Sequence, residues 1–219
     1  MKKKRNKSSL KRKFKVYFSI KSEYKKSFEY IKDSRNFIYS AILLFCIFLV
    51  LGLFFEDLIN SLFKALFNMD LNAQILNYIQ NLLDETEGMG GRQLMGFIFF
   101  NNLQSSFFGM MLGVLFGIFP LIALLSNGYL LGFVAMISVK TNGFLILWRI
   151  LPHGIFELPA VFISLGLGLR LGMYVFAGKE KDSFKTWFLN SLRVFLLVIL
   201  PLLIIAALIE GALIALSGV

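Results

Sequence analysis

Nineteen consecutive residues without a charge, FIYSAILLFCIFLVLGLFF from Phe37 to Phe55, decide most of what this chain can become. A helix of that length covers about 30 Å at 1.5 Å per residue, the thickness of a bilayer's hydrocarbon core. A signal peptide would need a short basic flank and a small-residue cleavage site. Here 36 residues precede the run and no A-x-A sequence follows it. The run reads as an uncleaved first membrane span. Composition extends the point, because 57% of the 219 residues are hydrophobic and only 16% are charged. Soluble domains run near ~45–50% apolar and ~25% charged, so a water-soluble monomer is excluded.

Charge divides the chain sharply. Residues 1–36 hold 14 of the 23 Lys and Arg and 3 of the 13 Asp and Glu, a balance of +11 that leaves −1 for the other 183 residues. Leu10, Phe14, Tyr17, Tyr24, Phe28 and Ile31 fall at helical spacing among these cations, with Lys21 interrupting the stripe. That pattern suits a basic amphipathic arm on an anionic leaflet, and the same lysines orient the first span by the positive-inside rule. Nucleic acid is not an expected partner, since the arm abuts a span. Beyond the span the sign reverses: six carboxylates (Glu56, Asp57, Asp70, Asp84, Glu85, Glu87) face two cations (Lys64, Arg92). Two amphipathic helices are expected there on the outer surface. One presents Leu58, Leu62, Phe63, Leu66 and Phe67; the other presents Leu71, Ile75, Ile79, Leu82 and Leu83 and is broken by the Gly88–Gly91 cluster.

The remaining sequence predicts an all-α polytopic transmembrane bundle, with 1–36 as a cytoplasmic arm and 37–219 as a single transmembrane domain that includes the extracytoplasmic 56–92. Phe97–Leu125 reads as a span bent by Pro120, and Ser126-Asn127-Gly128 as a tight turn. From Tyr129 an apolar stretch is cut by Lys140-Thr141-Asn142-Gly143, and a short piece, Phe144–Leu151, ends at Pro152. Such fragments suit a broken or re-entrant helix shielded by protein. His153–Ala177 and Leu192–Leu216 complete five spans; a sixth requires one fragment near Lys140 to cross alone. The loop 178–193 carries four cations against two carboxylates. Loop charges therefore place the N-terminus inside, in a multi-pass protein of the cell membrane.

Cys46 is the only cysteine and His153 the only histidine, so no intrachain disulfide forms and the common zinc, haem and triad arrangements lack ligands. No cofactor or metal is expected. Gly172–Lys179 imitates a phosphate-binding loop with one residue too many and Glu180 in place of the Ser or Thr that would hold magnesium. Gly109, Gly113 and Gly117, then Gly128 with Gly132, then Gly168 with Gly172, form small-residue stripes that let helix backbones approach closely. Polar residues inside spans say more. His153 and Glu157 share a helix face, Pro159 frees the carbonyl of Ile155, and Arg149, Arg170 and Glu210 each sit in apolar sequence. With Asn101 and Asn102, the residues Arg149, His153, Glu157 and Glu210 are expected in one layer of the outer leaflet, while Arg170 near the inner end snorkels.

The string ILPHGIFELPAVFISLGLGLRLG at 150–172, with Asn101-Asn102, the following glycines, Pro120 and Asn127-Gly128 upstream, resembles the signature of the stage II sporulation protein M family. The resemblance implies a polytopic membrane protein. In spore formers it implies an anchor for peptidoglycan-degrading partners during engulfment. It carries over no catalytic residues.

Two function classes account for a polar layer. One is a non-enzymatic scaffold or assembly partner whose charges lock helices together; the other is a channel or transporter for ions, protons or small solutes and lipids, with His153 and Glu157 as a relay. An intramembrane hydrolase with His153 as base lacks a nucleophile motif. A homo-oligomer, a dimer first, is expected because three glycine stripes exceed what one short bundle needs and because the two acidic outer helices offer large apolar faces.

Overall fold

The computed structural model describes the backbone of residues 20–178 and 182–217 and, within these, all side chains except 146–153, 155, 156 and 214–217. Leu10, Phe14 and Tyr17 of the expected arm stripe lie outside the described residues. The described chain is helical, in chain order α1 (Ile20–Asp33), α2 (Arg35–Phe54), α3 (Glu56–Phe67), α4 (Leu71–Thr86), α5 (Gly91–Met111), α6 (Ile118–Asn142), α7 (Leu147–Gly172), α8 (Phe184–Val194) and α9 (Leu200–Ser217). Among the described residues four stretches are long and apolar enough to cross a bilayer: Arg35–Phe54, Ile118–Asn142, Glu157–Phe176 and Phe184–Leu213. Helix α5 matches them in length with 21 residues but carries Asn101, Asn102, Gln104, Ser105 and Ser106.

Glycine sets the packing. Helices α2 and α6 form the most extensive pair, with Gly128 against the Phe45 carbonyl, Gly132 against that of Leu49, and Gly52 against that of Tyr129. Residue numbers rise together along both helices, so they run parallel. Helices α5 and α7 are parallel by the same test, through Gly109 on Leu165, Gly113 on Gly168 and Gly117 on Gly172. Helix α9 runs against both, and its Gly211 faces Met95 of α5. The stripes are thus used inside the chain. A main core gathers Tyr30, Met110, Leu167, Leu171, Trp187, Val194, Ile199 and Leu203.

Several expectations need correction. Ser126-Asn127-Gly128 is not a turn but the middle of α6: Ser126 Oγ donates to the Ile122 carbonyl (2.8 Å) and Asn127 Nδ2 to that of Ala123 (2.8 Å), so both polar groups are satisfied within the helix. The break falls earlier, at the 3₁₀ turn Leu112–Val114 and at Phe116 and Gly117, which take φ of 56° and 72°. Gly109, Gly113 and Gly117 therefore do not share one helix face, although each still meets α7. Pro120 does not bend a span. It lies in the first turn of α6, where its missing N–H would have had no helical partner. Nor does Pro152 end a fragment: α7 continues from Leu147 through Pro152 and Pro159. Lys140–Gly143 does terminate α6, with Gly143 at φ 78°.

The loop after α7 also holds more helix than its charge suggests. Ser183 accepts from the Thr186 amide to start α8 (3.3 Å), and a π turn at Phe195–Ile199 carries it into α9. Pro201 explains that widening, because its ring displaces the carbonyl four residues earlier and its nitrogen donates nothing. The amphipathic pair forms as expected. Glu56 and Asp57 favour the α3 N-terminus, Asn68 closes it at φ 52°, Asp70 accepts from the Ala73 amide (3.0 Å) to start α4, and Gly88 at φ 76° follows its end.

Candidate functional site: a polar cluster inside the bundle

Three of the polar residues singled out in the sequence meet. Asn102 of α5, Glu157 of α7 and Glu210 of α9 line one cavity with Ile98, Phe99, Leu203, Ala206 and Ala207. Helix register brings them together: α5 and α7 are parallel, so Asn102 and Glu157 lie at one depth, and antiparallel α9 returns Glu210 to it. The space measures about 10 Å³, room for roughly one water. Two carboxylates and an amide around one water can lock three helices by hydrogen bonding, or hold and pass a proton. Asn101 is exposed and does not join the cavity. The side chains of Arg149 and His153 lie outside the described residues; their backbone belongs to α7, two turns and one turn before Glu157.

Close by, Ser164 Oγ donates to the Ser106 carbonyl at 2.5 Å, a buried bond between α7 and α5 that sequence reading did not find.

Two further polar contacts bracket the bundle. At one end Arg170 does not snorkel. Its guanidinium donates to Ser34 Oγ (2.5 Å) and to the Tyr30 carbonyl (3.3 Å), and it stands 4.1 Å from the Tyr30 ring centre and 4.8 Å from that of Trp187. The Tyr30 hydroxyl donates to the Trp187 carbonyl (3.1 Å) and shares a hydrogen bond with Ser191 Oγ (3.2 Å). One arginine thereby ties α1, α7 and α8. The spacing of Ser27, Tyr30 and Ser34 on one face of α1 was the available signal.

At the other end Lys140 Nζ reaches Glu56 Oε1 at 2.9 Å, joining the end of α6 to the start of α3. That hydrogen bond holds the Glu56 carboxyl below its usual value of about 4.5, against the opposing effect of burial. A lowered native value means that the stabilisation is complete above about pH 4.5 and is lost as pH falls through the native value. Thermal melts of wild type and Lys140→Gln should therefore differ at pH 7 and converge in acid. Asp70 and Glu23, also held low, are common to both proteins and cancel from the difference. Curves that stay parallel down to pH 3 would show that the pair contributes nothing.

Long apolar helices, packed backbone to backbone through glycine and bringing Glu157 and Glu210 onto one cavity, define a helical integral membrane protein. The chain belongs to the stage II sporulation protein M family, whose family model it matches over residues 41–213. Neither the comparison with curated proteins nor that with solved structures returns a match.

Proposed function

We propose that the protein is a non-enzymatic scaffold of the cell membrane that holds partner proteins at the bilayer. The observation that carries this reading is the meeting of Asn102, Glu157 and Glu210 from three helices around space for about one water, which suits a lock between helices. The topology proposed with it has five crossings (α2, α5, α6, α7 and α8–α9) and a cytoplasmic N-terminus, because the +11 arm and the −4 segment at 56–92 lie on either side of α2. The acidic hairpin α3–α4 is then the extracytoplasmic face offered to cell-wall-remodelling partners. Leu58, Leu62, Leu66 and Phe67 stand exposed along it. A dimer rests on that hairpin alone, as the glycine stripes are occupied.

Reconstitution in sealed liposomes tests the reading. Proton, sodium and potassium flux should match that of empty liposomes, while crosslinkers placed on α3–α4 in intact cells should capture defined partners. Flux above the lipid background would overturn it.

The relay reading keeps one observation in its favour, the pair of carboxylates on one cavity. Glu157→Gln separates the two: a structural Glu157 tolerates the amide, with unchanged stability and partner capture, whereas a relay loses activity with its fold intact.

A further inference from the structure

We infer that α1 is a docking face for an anionic membrane leaflet, laid along the end of the bundle. Two anchors fix its course. Ser34 is bound by Arg170, two residues before the end of α7, and Glu23 pairs with Arg193 (2.6 Å) in the last turn of α8. Eleven residues, roughly 17 Å of helix, are held between these points, so α1 lies alongside α7 and α8 and does not project from the bundle. Its inward side is polar: Glu23, Ser27, Tyr30 and Ser34 face α7 and α8, and Ser27, Tyr30 and Ser34 are buried.

The outward side is the one a helix in water would bury. Ile20, Tyr24 and Phe28 follow one turn apart and are 67%, 38% and 59% exposed. Exposed Lys21, Lys25 and Lys32 border that line. Glu29 and Asp33 project about 100° or more around the helix from Phe28, and Glu29 Oε1 lies 3.8 Å from Lys25 Nζ on the far side of that lysine. Rolling α1 to cover the aromatic line would break the Glu23, Tyr30 and Ser34 bonds, so the face stays turned out. An apolar line edged by Lys21, Lys25 and Lys32, with no carboxylate on the line itself, fits an anionic bilayer surface: the rings enter the acyl boundary, the lysine stems lie along it, and the ammonium groups reach lipid phosphates. Residues 1–19, which precede it in the sequence, hold nine cations and no carboxylate.

The test uses the full chain in nanodiscs of phosphatidylcholine alone or with phosphatidylglycerol. A nitroxide is attached at Phe28→Cys or Glu29→Cys in a Cys46→Ser background. In anionic discs the Phe28 label should favour oxygen over a water-soluble nickel complex, and the Glu29 label the reverse. Reversing Lys21, Lys25 and Lys32 to Glu should lower the oxygen-to-nickel ratio at position 28 by about fivefold or more, with the melting temperature unchanged. Equal nickel access at both positions in anionic discs overturns the proposal and leaves the face to a protein partner. Equal immersion in both disc types overturns the anionic assignment.

Discussion

Gly113→Leu should fail to give the native bundle. A Cβ at position 113 falls 2.5 Å from the Cα of Gly168, and the obstacle is backbone that cannot rotate away. Ordinary overpacking costs about 1–3 kcal/mol because side chains adjust; where two backbones meet, the top of that range is the floor. Gly132→Leu should behave alike, since its Cβ would meet the Leu49 carbonyl and lie 2.9 Å from the Leu53 nitrogen. Melting in mild detergent, followed by size exclusion, reads the effect directly. Gly96→Ala is the matched control, with nothing within 4 Å of its added Cβ. A Gly113→Leu protein that melts with wild type would mean that α5 and α7 do not meet as described.

The second large effect is expected at Arg170. Arg170→Met removes a charged hydrogen bond to Ser34 and a stacked position between Tyr30 and Trp187. Bonds to charged groups contribute about 1.5–3 kcal/mol, and a cation over an aromatic ring about 0.5–2 kcal/mol, so a loss near 3 kcal/mol is expected. Arg170→Lys should recover little of it, because an ammonium has neither the planar fork nor the stacking surface. Limited trypsin digestion localises the loss: cleavage at Lys25, Lys26 and Lys32 should accelerate in both variants while α2 through α7 stay protected. Wild-type digestion of Arg170→Lys would reduce the clamp to simple charge.

Elements with one dominant cause were legible in the sequence. The apolar run made α2, the helical spacing of Leu, Ile and Phe among polar residues made α3 and α4, and Gly143 after Lys140-Thr141-Asn142 ended α6. Elements decided by competition were not. Ser126-Asn127-Gly128 carries every local mark of a turn, yet in an apolar phase its side chains bond back to their own helix and Gly128 becomes a contact with Phe45. The true break, from Leu112 to Gly117, has only Gly113 and Gly117 in an otherwise apolar stretch to announce it. In the polar cluster, Glu157 and Glu210 were conspicuous as charges among apolar neighbours, and Asn102 could be named beside them. That Asn101 faces away depends on the rotation of α5 about its axis, which neighbouring residues of equal polarity cannot reveal. Arg170 was visible as a charge, but its partners depend on how α1 folds back on the bundle.

The parallel pairing of α2 with α6 has a consequence for the order of biosynthesis. Gly132 meets Leu49, so the first hydrophobic helix to leave the ribosome finds its main neighbour only after roughly 80 more residues have been made. At about 5–20 residues per second that interval lasts some 4–16 seconds. During it, α2 waits with Gly52 uncovered while the hairpin and α5 are made. Insertion machinery that shelters a lone helix therefore matters more for this chain than for one whose sequential helices pair as they emerge.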